Sequence, residues 1–321
     1  MRAIYLTATG GSEVLNLAEV PTPSPQPGEA LVKVSHAGIN YIDTYVREGI
    51  YPRKLPLIPG FAGAGQVVTD TTNTIAEGTT VAWCDGFGSY AEYVCVPADR
   101  LVQVPAEIPL PVAATMLLQG ITADYLVRDI GHLTAGKTCV LTGGAGGVGL
   151  IATQMAKQLG ATVITLVSTE DKAARSRAAG ADHVLTYEDN DVQAVLALTN
   201  DEGVDVVFDG VGATTFHQLL AAVKRRGLYC LFGAASGPVD PIDPQLLNKH
   251  GSLFLTRPKI DDYTTNTQEF HERATRVARL VADGSLTIDV DDRFTLAQAR
   301  QAHEALQARQ TTGSVVLTVA T

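Results

Sequence analysis

The chain has 321 residues, of which 45% are hydrophobic and 18% are charged, a composition that fits a folded globular protein and excludes a disordered one. Its length corresponds to two domains of ordinary size. The 24 Lys and Arg residues against 34 Asp and Glu residues give a net charge of −10, which argues against nucleic-acid and membrane partners, because both attract clustered cations.

The cysteines and the N-terminal segment indicate where the protein works. Cys84, Cys95, Cys139 and Cys230 form no C-x-x-C pair, and an even number of cysteines in a chain this long does not indicate a disulfide framework. The N-terminal segment lacks the charged and then apolar pattern of a signal peptide. We find no apolar run that approaches the roughly 18 residues needed to span a bilayer. We therefore expect a reduced, cytoplasmic protein.

The first third of the chain predicts a β-rich domain. Short β-branched runs at residues 3–8, 30–39 and 63–70, and a further pair over 81–97, are separated by Pro and Gly clusters. One helical stretch interrupts them near residues 42–47. Around residues 111–128 the pattern becomes that of a long apolar helix.

From residue 137 onwards, strands and helices alternate. The predicted strands are 137–143, 161–167, 183–187, 204–210, 228–233 and 252–257, and the predicted helices are 146–160, 172–180, 192–199 and 216–227. Such alternation predicts an α/β unit with a parallel, doubly wound sheet covered by helices. The tail returns to helix at 268–284 and 296–309 and ends in a strand at 314–319.

A glycine-rich loop follows the first of these strands. Gly144, Gly146 and Gly149 match G-x-G-x-x-G between a strand and a helix, which is the context that gives this motif its meaning. The first glycine would permit a tight turn, the second would let a pyrophosphate approach, and the third would allow close helix–strand packing. With Gly147 and Val148 at the helix N-terminus, the loop predicts a dinucleotide site. A glycine-rich turn without a ligand is the alternative.

The end of the second strand of this unit bears on which cofactor is preferred. NAD-binding members of this fold usually carry an acid there that binds the ribose diol, but Val167 holds that place. Ser168, Thr169 and Lys172 follow and can bind a 2′-phosphate, with Arg175 further away. We therefore expect NADPH. The two acids that open the next helix are unfavourable neighbours, and Lys172 and Arg175 can alternatively form a solvated face.

The order of domains resembles the medium-chain dehydrogenase/reductase superfamily over the whole chain. In its zinc-dependent members the catalytic metal ligands occupy positions that fall here on Asn40, Phe61 and Gln119, which are not zinc ligands. Segments 38–52, 143–161, 225–263 and 302–317 are similar to the zinc-free quinone oxidoreductase family, the zeta-crystallin-like branch. The resemblance implies a GroES-like catalytic domain from 1–122 and 256–321, a Rossmann domain from 123–255, no metal, and a homodimer.

The resemblance also implies the activity and the site residues. We expect NADPH-dependent, zinc-independent hydride transfer to a quinone, with Asn40, Tyr51 and Gln119 as the catalytic residues. Beyond the glycine loop and the phosphate-binding residues, the family resemblance implies further cofactor contacts at Tyr45, Tyr125, Tyr187, Phe232, Gly233, Ala234, Ala235 and Arg309.

Alternatives to this interpretation remain open at the level of sequence. The same chemistry serves reduction of the activated C=C bond of enones or enals, and a non-catalytic, crystallin-like or RNA-binding role would still retain NADPH. Either Tyr45 or Tyr51 can instead be a packing residue. Asp43 is expected to be a helix or ion-pair element rather than a catalytic acid, and Arg309 can instead complement a helix dipole.

Overall fold

The computed structural model describes residues 1–187 and 191–319. The chain divides into two compact units, one formed by Met1–Ile121 with Thr264–Thr321 and the other by Thr122–Tyr263. The second boundary lies after Tyr263 and not at residue 256, where the sequence analysis put it. The ring of Tyr263 stacks on that of Tyr125 with centroids 4.3 Å apart, so this segment packs within the second unit.

The strands and helices are numbered in chain order. The strands are β1 (Arg2–Tyr5), β2 (Asn16–Glu19), β3 (Glu29–Ile39), β4 (Ala62–Asp70), β5 (Thr80–Trp83), β6 (Tyr93–Pro97), β7 (Val102–Gln103), β8 (Thr138–Thr142), β9 (Thr162–Val167), β10 (His183–Thr186), β11 (Val204–Asp209), β12 (Val223–Leu231), β13 (Phe254–Thr256), β14 (Val290–Thr295) and β15 (Ser314–Thr318). The helices are α1 (Tyr41–Arg47), α2 (Leu110–Tyr125), α3 (Gly147–Gln158), α4 (Glu170–Ala178), α5 (Asp191–Leu198), α6 (Phe216–Leu219), α7 (Gln245–Lys249), α8 (Thr267–Ala282) and α9 (Ala299–Gln307).

The first unit is built around a seven-stranded mixed sheet. Its strands run in the order β14-β15-β3-β4-β5-β7, with β6 also paired to β3, while β1 and β2 form a separate ribbon. Alternation along β3 buries Val32 and Val34 in a core that contains Trp83, whose indole N–H donates to Ser89 Oγ at 2.9 Å. Strand β15 pairs antiparallel with β3, which brings the C-terminal segment back beside the start of α1.

The second unit is a six-stranded parallel sheet in the order β10-β9-β8-β11-β12-β13. Its central strands are apolar and buried, as a sheet covered by helices requires. The order reverses between β8 and β11, so the loops after these two strands flank the point at which doubly wound sheets bind their ligands. The predicted α/β fold, with a doubly wound parallel sheet and a separate β-rich domain, is thereby confirmed.

One predicted helix was wrong over its second half. The segment 216–227 was expected to be helical throughout, but α6 ends at Leu219, a 3₁₀ turn covers Leu220–Ala222, and β12 begins at Val223. Val223 pairs with Val204 of β11, and the register shifts before Val206 meets Leu228. Arg226 absorbs that irregularity with a left-handed φ of 60°, which a helix interior cannot contain. Strands β2, β7 and β14 and helix α7 were also not predicted.

A long apolar helix was underestimated from sequence. The span Leu110–Ile130, which is α2 followed by a π-helical turn, is long and apolar enough to cross a bilayer, and 72% of its 18-residue apolar stretch is buried within the protein. The prediction that no apolar run reaches this length was wrong, because Pro111 was taken as a break. Pro111 lies in the first turn of α2, where proline costs no helical hydrogen bond. Burial on this scale is that of a core helix.

Candidate active site

Three amide and hydroxyl side chains form a chain of hydrogen bonds in the first unit. Ser314 Oγ donates to Gln119 Oε1 at 2.5 Å, and Gln119 Nε2 donates to Asn40 Oδ1 at 3.0 Å. The three residues come from β15, α2 and the turn between β3 and α1, and they are 1%, 6% and 7% exposed. Asn40 Nδ2 has no hydrogen-bond partner among the residues that the structure describes. A buried donor without a partner costs about 1–3 kcal/mol, so this amide is suited to meet an acceptor on a ligand.

Asn40 is also the N-cap of α1. It forms a capping box with Asp43, in which the Asn40 backbone N–H donates to Asp43 Oδ2 at 2.7 Å. This reciprocal arrangement fixes where the helix begins. Asp43 is thus a helix element, as expected, and it holds the backbone of Asn40 in place.

A buried network continues from Asp43 to the far side of α1. Tyr90 donates its hydroxyl to Asp43 Oδ2 at 3.2 Å and lies 3.0 Å from His303 Nε2, while His303 Nδ1 lies 3.1 Å from Arg47 Nη1. Burial raises the pKa of Asp43 to about 7. Burial, and then the charge of Arg47, lower the pKa of His303 to about 3. The carboxyl is therefore partly protonated near neutral pH, and the imidazole is neutral.

The two tyrosines that sequence analysis singled out touch each other. The rings of Tyr45 and Tyr51 meet edge to face with centroids 5.5 Å apart, and the Tyr51 backbone N–H donates to the Tyr45 carbonyl at 3.1 Å. Tyr45 is buried, whereas Tyr51 is 40% exposed. The turn between them therefore presents Tyr51 to solvent while Tyr45 anchors it.

The glycine loop of the second unit has the shape of a dinucleotide cradle, with one change from the prediction. The left-handed turn is made by Gly143, whose φ is 64°, and not by Gly144. A Cβ at Gly144 would lie 2.5 Å from the Cβ of Thr165, and one at Gly149 would lie 2.3 Å from the Gly143 carbonyl oxygen. A Cβ at Gly146, the N-cap of α3, would have only the Gly143 carbonyl oxygen nearby, at 3.3 Å. This backbone lies beside the N–H groups of α3 that are available to a ligand.

The residues expected to bind a 2′-phosphate lie together after β9. Thr169 is the N-cap of α4, its side chain accepts from the Lys172 backbone N–H at 3.4 Å, and Lys172 Nζ lies 3.2 Å from Ser168 Oγ. The neighbouring Glu170 is paired with Arg177 at 2.5 Å, which reduces the repulsion this acid would exert on a phosphate. The cluster offers a cation, two hydroxyls and a helix N-terminus to an anion.

Asp209, the last residue of β11, joins the end of β8, just before the glycine loop, to the loop after β11 and to β12 by hydrogen bonds. Its carboxylate accepts from the hydroxyls of Thr142, Thr215 and Tyr229 at 2.8–2.9 Å and from the backbone N–H of Val211 at 2.9 Å. The Phe232 backbone N–H also donates to the Asp209 carbonyl, at 2.8 Å. The segment that contains Phe232, Gly233, Ala234 and Ala235 therefore starts at the carboxyl end of the sheet.

Two further predicted contacts have definite places in this unit. The Gly143 backbone N–H donates to the hydroxyl of Tyr187 at 2.9 Å, so Tyr187 supports the glycine loop. Tyr125 is buried against Tyr263, and burial raises the pKa of its hydroxyl. Both remain predicted cofactor contacts.

Comparison with known proteins identifies the family. Residues 26–106 match the alcohol dehydrogenase GroES-like domain, and residues 147–279 match the zinc-binding dehydrogenase family. The quinone oxidoreductase of Pseudomonas aeruginosa is 38% identical over 98% of this chain and 99% of its own. The chain belongs to the quinone oxidoreductase family of medium-chain dehydrogenases/reductases. The resemblance drawn from the sequence is confirmed.

Two other similar proteins bear on what members of this family bind and reduce. A mycobacterial protein solved in complex with NADPH is 46% identical and superposes with a TM-score of 0.95. The match covers 99% of this chain and 100% of the mycobacterial chain. The 2-haloacrylate reductase of a Burkholderia species is 36% identical over 98% of each chain.

The family resemblance placed Phe61, with Asn40 and Gln119, at the positions where zinc-dependent relatives carry their metal ligands. The ring of Phe61 packs edge to face on Phe87 at 5.1 Å, and the guanidinium of Arg53 lies over both rings. Within residues 1–187 and 191–319, no group of three or more His, Cys, Asp or Glu side chains is placed to hold a metal ion. None of the four cysteines, all of which the structure describes, forms a disulfide, and burial raises the pKa of Cys139 to about 12.

Ser314 and the extent of the Asp43 network were not predicted from the sequence. Ser314 lies 195 residues from Gln119 along the chain, so no local pattern connects them. The pair Asn40 and Asp43 has the spacing of a capping box, a signal that was available in the sequence. Arg309 lies just after α9 with a left-handed φ of 58°. Burial raises the pKa of Tyr41, and the charge of Arg309 offsets part of that rise. Its predicted cofactor contact stays a prediction.

Proposed function

We propose that this protein is a cytoplasmic, zinc-independent reductase that transfers hydride from NADPH to a quinone. The observation that carries the proposal is the unpartnered amide donor of Asn40, because an accepting carbonyl oxygen gains negative charge as hydride arrives and needs such a donor. NADPH, when bound, supplies the hydride from its nicotinamide ring. One further proton from water completes the hydroquinone.

The second unit supplies the binding site for NADPH in this proposal. The backbone beside Gly146 and the N–H groups of α3 would receive the pyrophosphate. Lys172, Ser168 and Thr169 would receive the 2′-phosphate that distinguishes NADPH from NADH. The NADPH found with the mycobacterial relative supports this assignment.

The first unit supplies the groups that act on the acceptor. Asn40 donates to the oxygen on which charge develops, and Gln119 holds the Asn40 amide in place. Tyr51 is the second candidate donor, because its exposed side chain carries a phenolic O–H that can donate to a carbonyl oxygen. Positioning and these donors are sufficient for hydride transfer, so no metal is required in the proposed mechanism.

A second candidate function is reduction of an activated C=C bond. The similarity to 2-haloacrylate reductase favours it, since hydride addition to such a bond also places negative charge on a conjugated oxygen. Quinone and enal pockets differ by a few apolar contacts, each worth about 1–3 kcal/mol of discrimination.

The function is tested by following NADPH absorbance with a panel of acceptors. The panel contains benzoquinone, naphthoquinone, an enal and 2-chloroacrylate, and the expected result is turnover with the quinones at the highest kcat/KM. Higher kcat/KM with 2-chloroacrylate or the enal would favour the second candidate. Inertness across the panel despite intact NADPH binding would refute both and support a non-catalytic role.

We also propose that two copies associate through β13. This strand is the edge of the parallel sheet, and Phe254 on it is 65% exposed. Light scattering should give the mass of a dimer for the wild type and a lower mass for Phe254→Lys. The matched control is Leu198→Lys, which changes an exposed apolar residue on α5 of the same unit. A wild-type mass of one chain at every concentration would contradict the proposal.

A further inference from the structure

The direction of the hydrogen bonds between Ser314, Gln119 and Asn40 determines what the site can offer a ligand. Gln119 accepts with Oε1 from Ser314 and donates with Nε2 to Asn40 Oδ1, so both ends of its amide are engaged. Asn40 Oδ1 is thereby occupied, and Nδ2 is the atom left without a partner in the described part of the chain. An amide turned the other way would leave an acceptor in that place.

Two features hold this direction. In the capping box of α1, the Asn40 side-chain oxygen faces the helix N–H groups, which turns Nδ2 away from the helix. At the other end, the hydroxyl of Ser314 gives Gln119 Oε1 a donor. Turning the Gln119 amide would move Oε1 away from that donor and place it against Asn40 Oδ1, so that two acceptors face each other. Ser314 is 1% exposed, and water does not substitute for it easily.

We propose that Ser314 is a positioning residue that, through Gln119, fixes the Asn40 amide with its –NH2 group outward as the donor for the acceptor oxygen of the substrate. This inference rests on the proposed function for the identity of that substrate. It also moves Gln119 from the catalytic residues to the positioning residues, because both ends of its amide already have partners. A site arranged in this way selects ligands that present an oxygen acceptor, such as a quinone carbonyl.

The first readout is spectroscopic and does not depend on turnover. In ¹H–¹⁵N spectra, the side-chain –NH2 signals of Asn40 and Gln119 are assigned from their disappearance in Asn40→Asp and Gln119→Glu. Ser314→Ala should move both signals, and Ser314→Thr, which keeps the hydroxyl, should restore them. The control is Ser89→Ala, which removes another buried serine hydroxyl of the same unit and should move neither.

The second readout uses ligands. Duroquinone added with NADP⁺ should shift the Asn40 –NH2 signal in the wild type. With NADPH, Ser314→Ala should lower kcat/KM for duroquinone about tenfold, the effect of losing one well-placed hydrogen bond, and leave the NADPH dissociation constant within about twofold. Ser314→Thr should recover most of the loss.

The outcomes separate this inference from the proposed function. The positioning role would be overturned by any of three results. The amide signals could stay in place in Ser314→Ala, the wild-type Asn40 signal could fail to shift at saturating duroquinone, or the signals could move in Ser314→Ala while kcat/KM stays within about twofold of the wild type. If the wild type reduces no quinone, the proposed function fails, and the spectra alone decide whether Ser314 orients the amides.

Discussion

Replacing His303 by Gln should change how the stability of the first unit depends on pH. In the wild type, Asp43 and His303 lie in one buried network and their titrations act in opposite directions. Burial raises the pKa of Asp43 from 3.8 to about 7, so between these values the folded state keeps a proton that the unfolded state has lost. Stability contributed by this group therefore falls as pH rises from about 4 to about 7.

His303 has the opposite effect over most of the same range. Burial lowers its pKa from 6.5 to about 3, so between these pH values the unfolded state binds a proton that the folded state does not bind. Stability from this group therefore rises as pH rises from about 3 to about 6.5. Each pH unit between the folded and unfolded pKa values corresponds to about 1.4 kcal/mol, so the two effects reach about 4 and about 5 kcal/mol and nearly cancel between pH 4 and 6.5.

Single substitutions expose each effect. In His303→Gln only the Asp43 effect remains, so the free energy of unfolding should drop by about 3 kcal/mol between pH 4.5 and 7. In Asp43→Asn only the His303 effect remains, so the free energy of unfolding should rise by a similar amount up to pH 6.5. The assay is urea unfolding followed by the fluorescence of Trp83, the one tryptophan in the chain, which is buried in the core of the first unit. A flat profile in both variants would refute the reasoning.

Three further predictions concern the second unit. Lys172→Ala should weaken NADPH binding about tenfold and leave NADH binding unchanged, as measured by fluorescence titration at matched ionic strength; equal affinities for both cofactors in the wild type would contradict the phosphate assignment. Gly149→Ala should lower the affinity for both cofactors alike, because its Cβ would lie 2.3 Å from the Gly143 carbonyl oxygen and displace the loop; unchanged titrations would show that the loop has room. Asp209→Ala should lower the stability of the second unit by several kcal/mol in calorimetry, because the hydroxyls of Thr142, Thr215 and Tyr229 lose their acceptor, and a loss below about 1 kcal/mol would contradict that role.

The sequence predicts the second unit of this protein well because its signals are local. The glycine loop, the hydroxyls after β9 and the alternating strands and helices each lie within a short segment, and the structure shows the expected parallel, doubly wound sheet. The error at residues 216–227 has a tertiary cause, since pairing of Val223 with Val204 overrides the helical pattern. The turn at Gly143 rather than Gly144 shows that a motif identifies a loop without fixing the dihedral angles of each glycine.

The first unit is less predictable because its site is assembled from distant segments. Asn40, Gln119 and Ser314 come from three elements, and their hydrogen bonds depend on how β15 pairs with β3. The family resemblance pointed to the first two residues, but it carried no information on the direction of their hydrogen bonds. That direction follows only from the packing that brings the three side chains together.

The most direct test of the proposed chemistry is a single turnover in which the NADPH-loaded protein is mixed with benzoquinone. The wild type is compared with Asn40→Asp, which keeps a capping oxygen but loses the –NH2 donor. The control is Asn266→Asp, which makes the same change at the N-cap of α8 in the same unit. We expect the wild type and Asn266→Asp to oxidise NADPH at equal rates and Asn40→Asp to be at least about tenfold slower, since a donor to the charged oxygen is worth about 1.5–3 kcal/mol. Equal rates in all three proteins, or no oxidation in any, would contradict it.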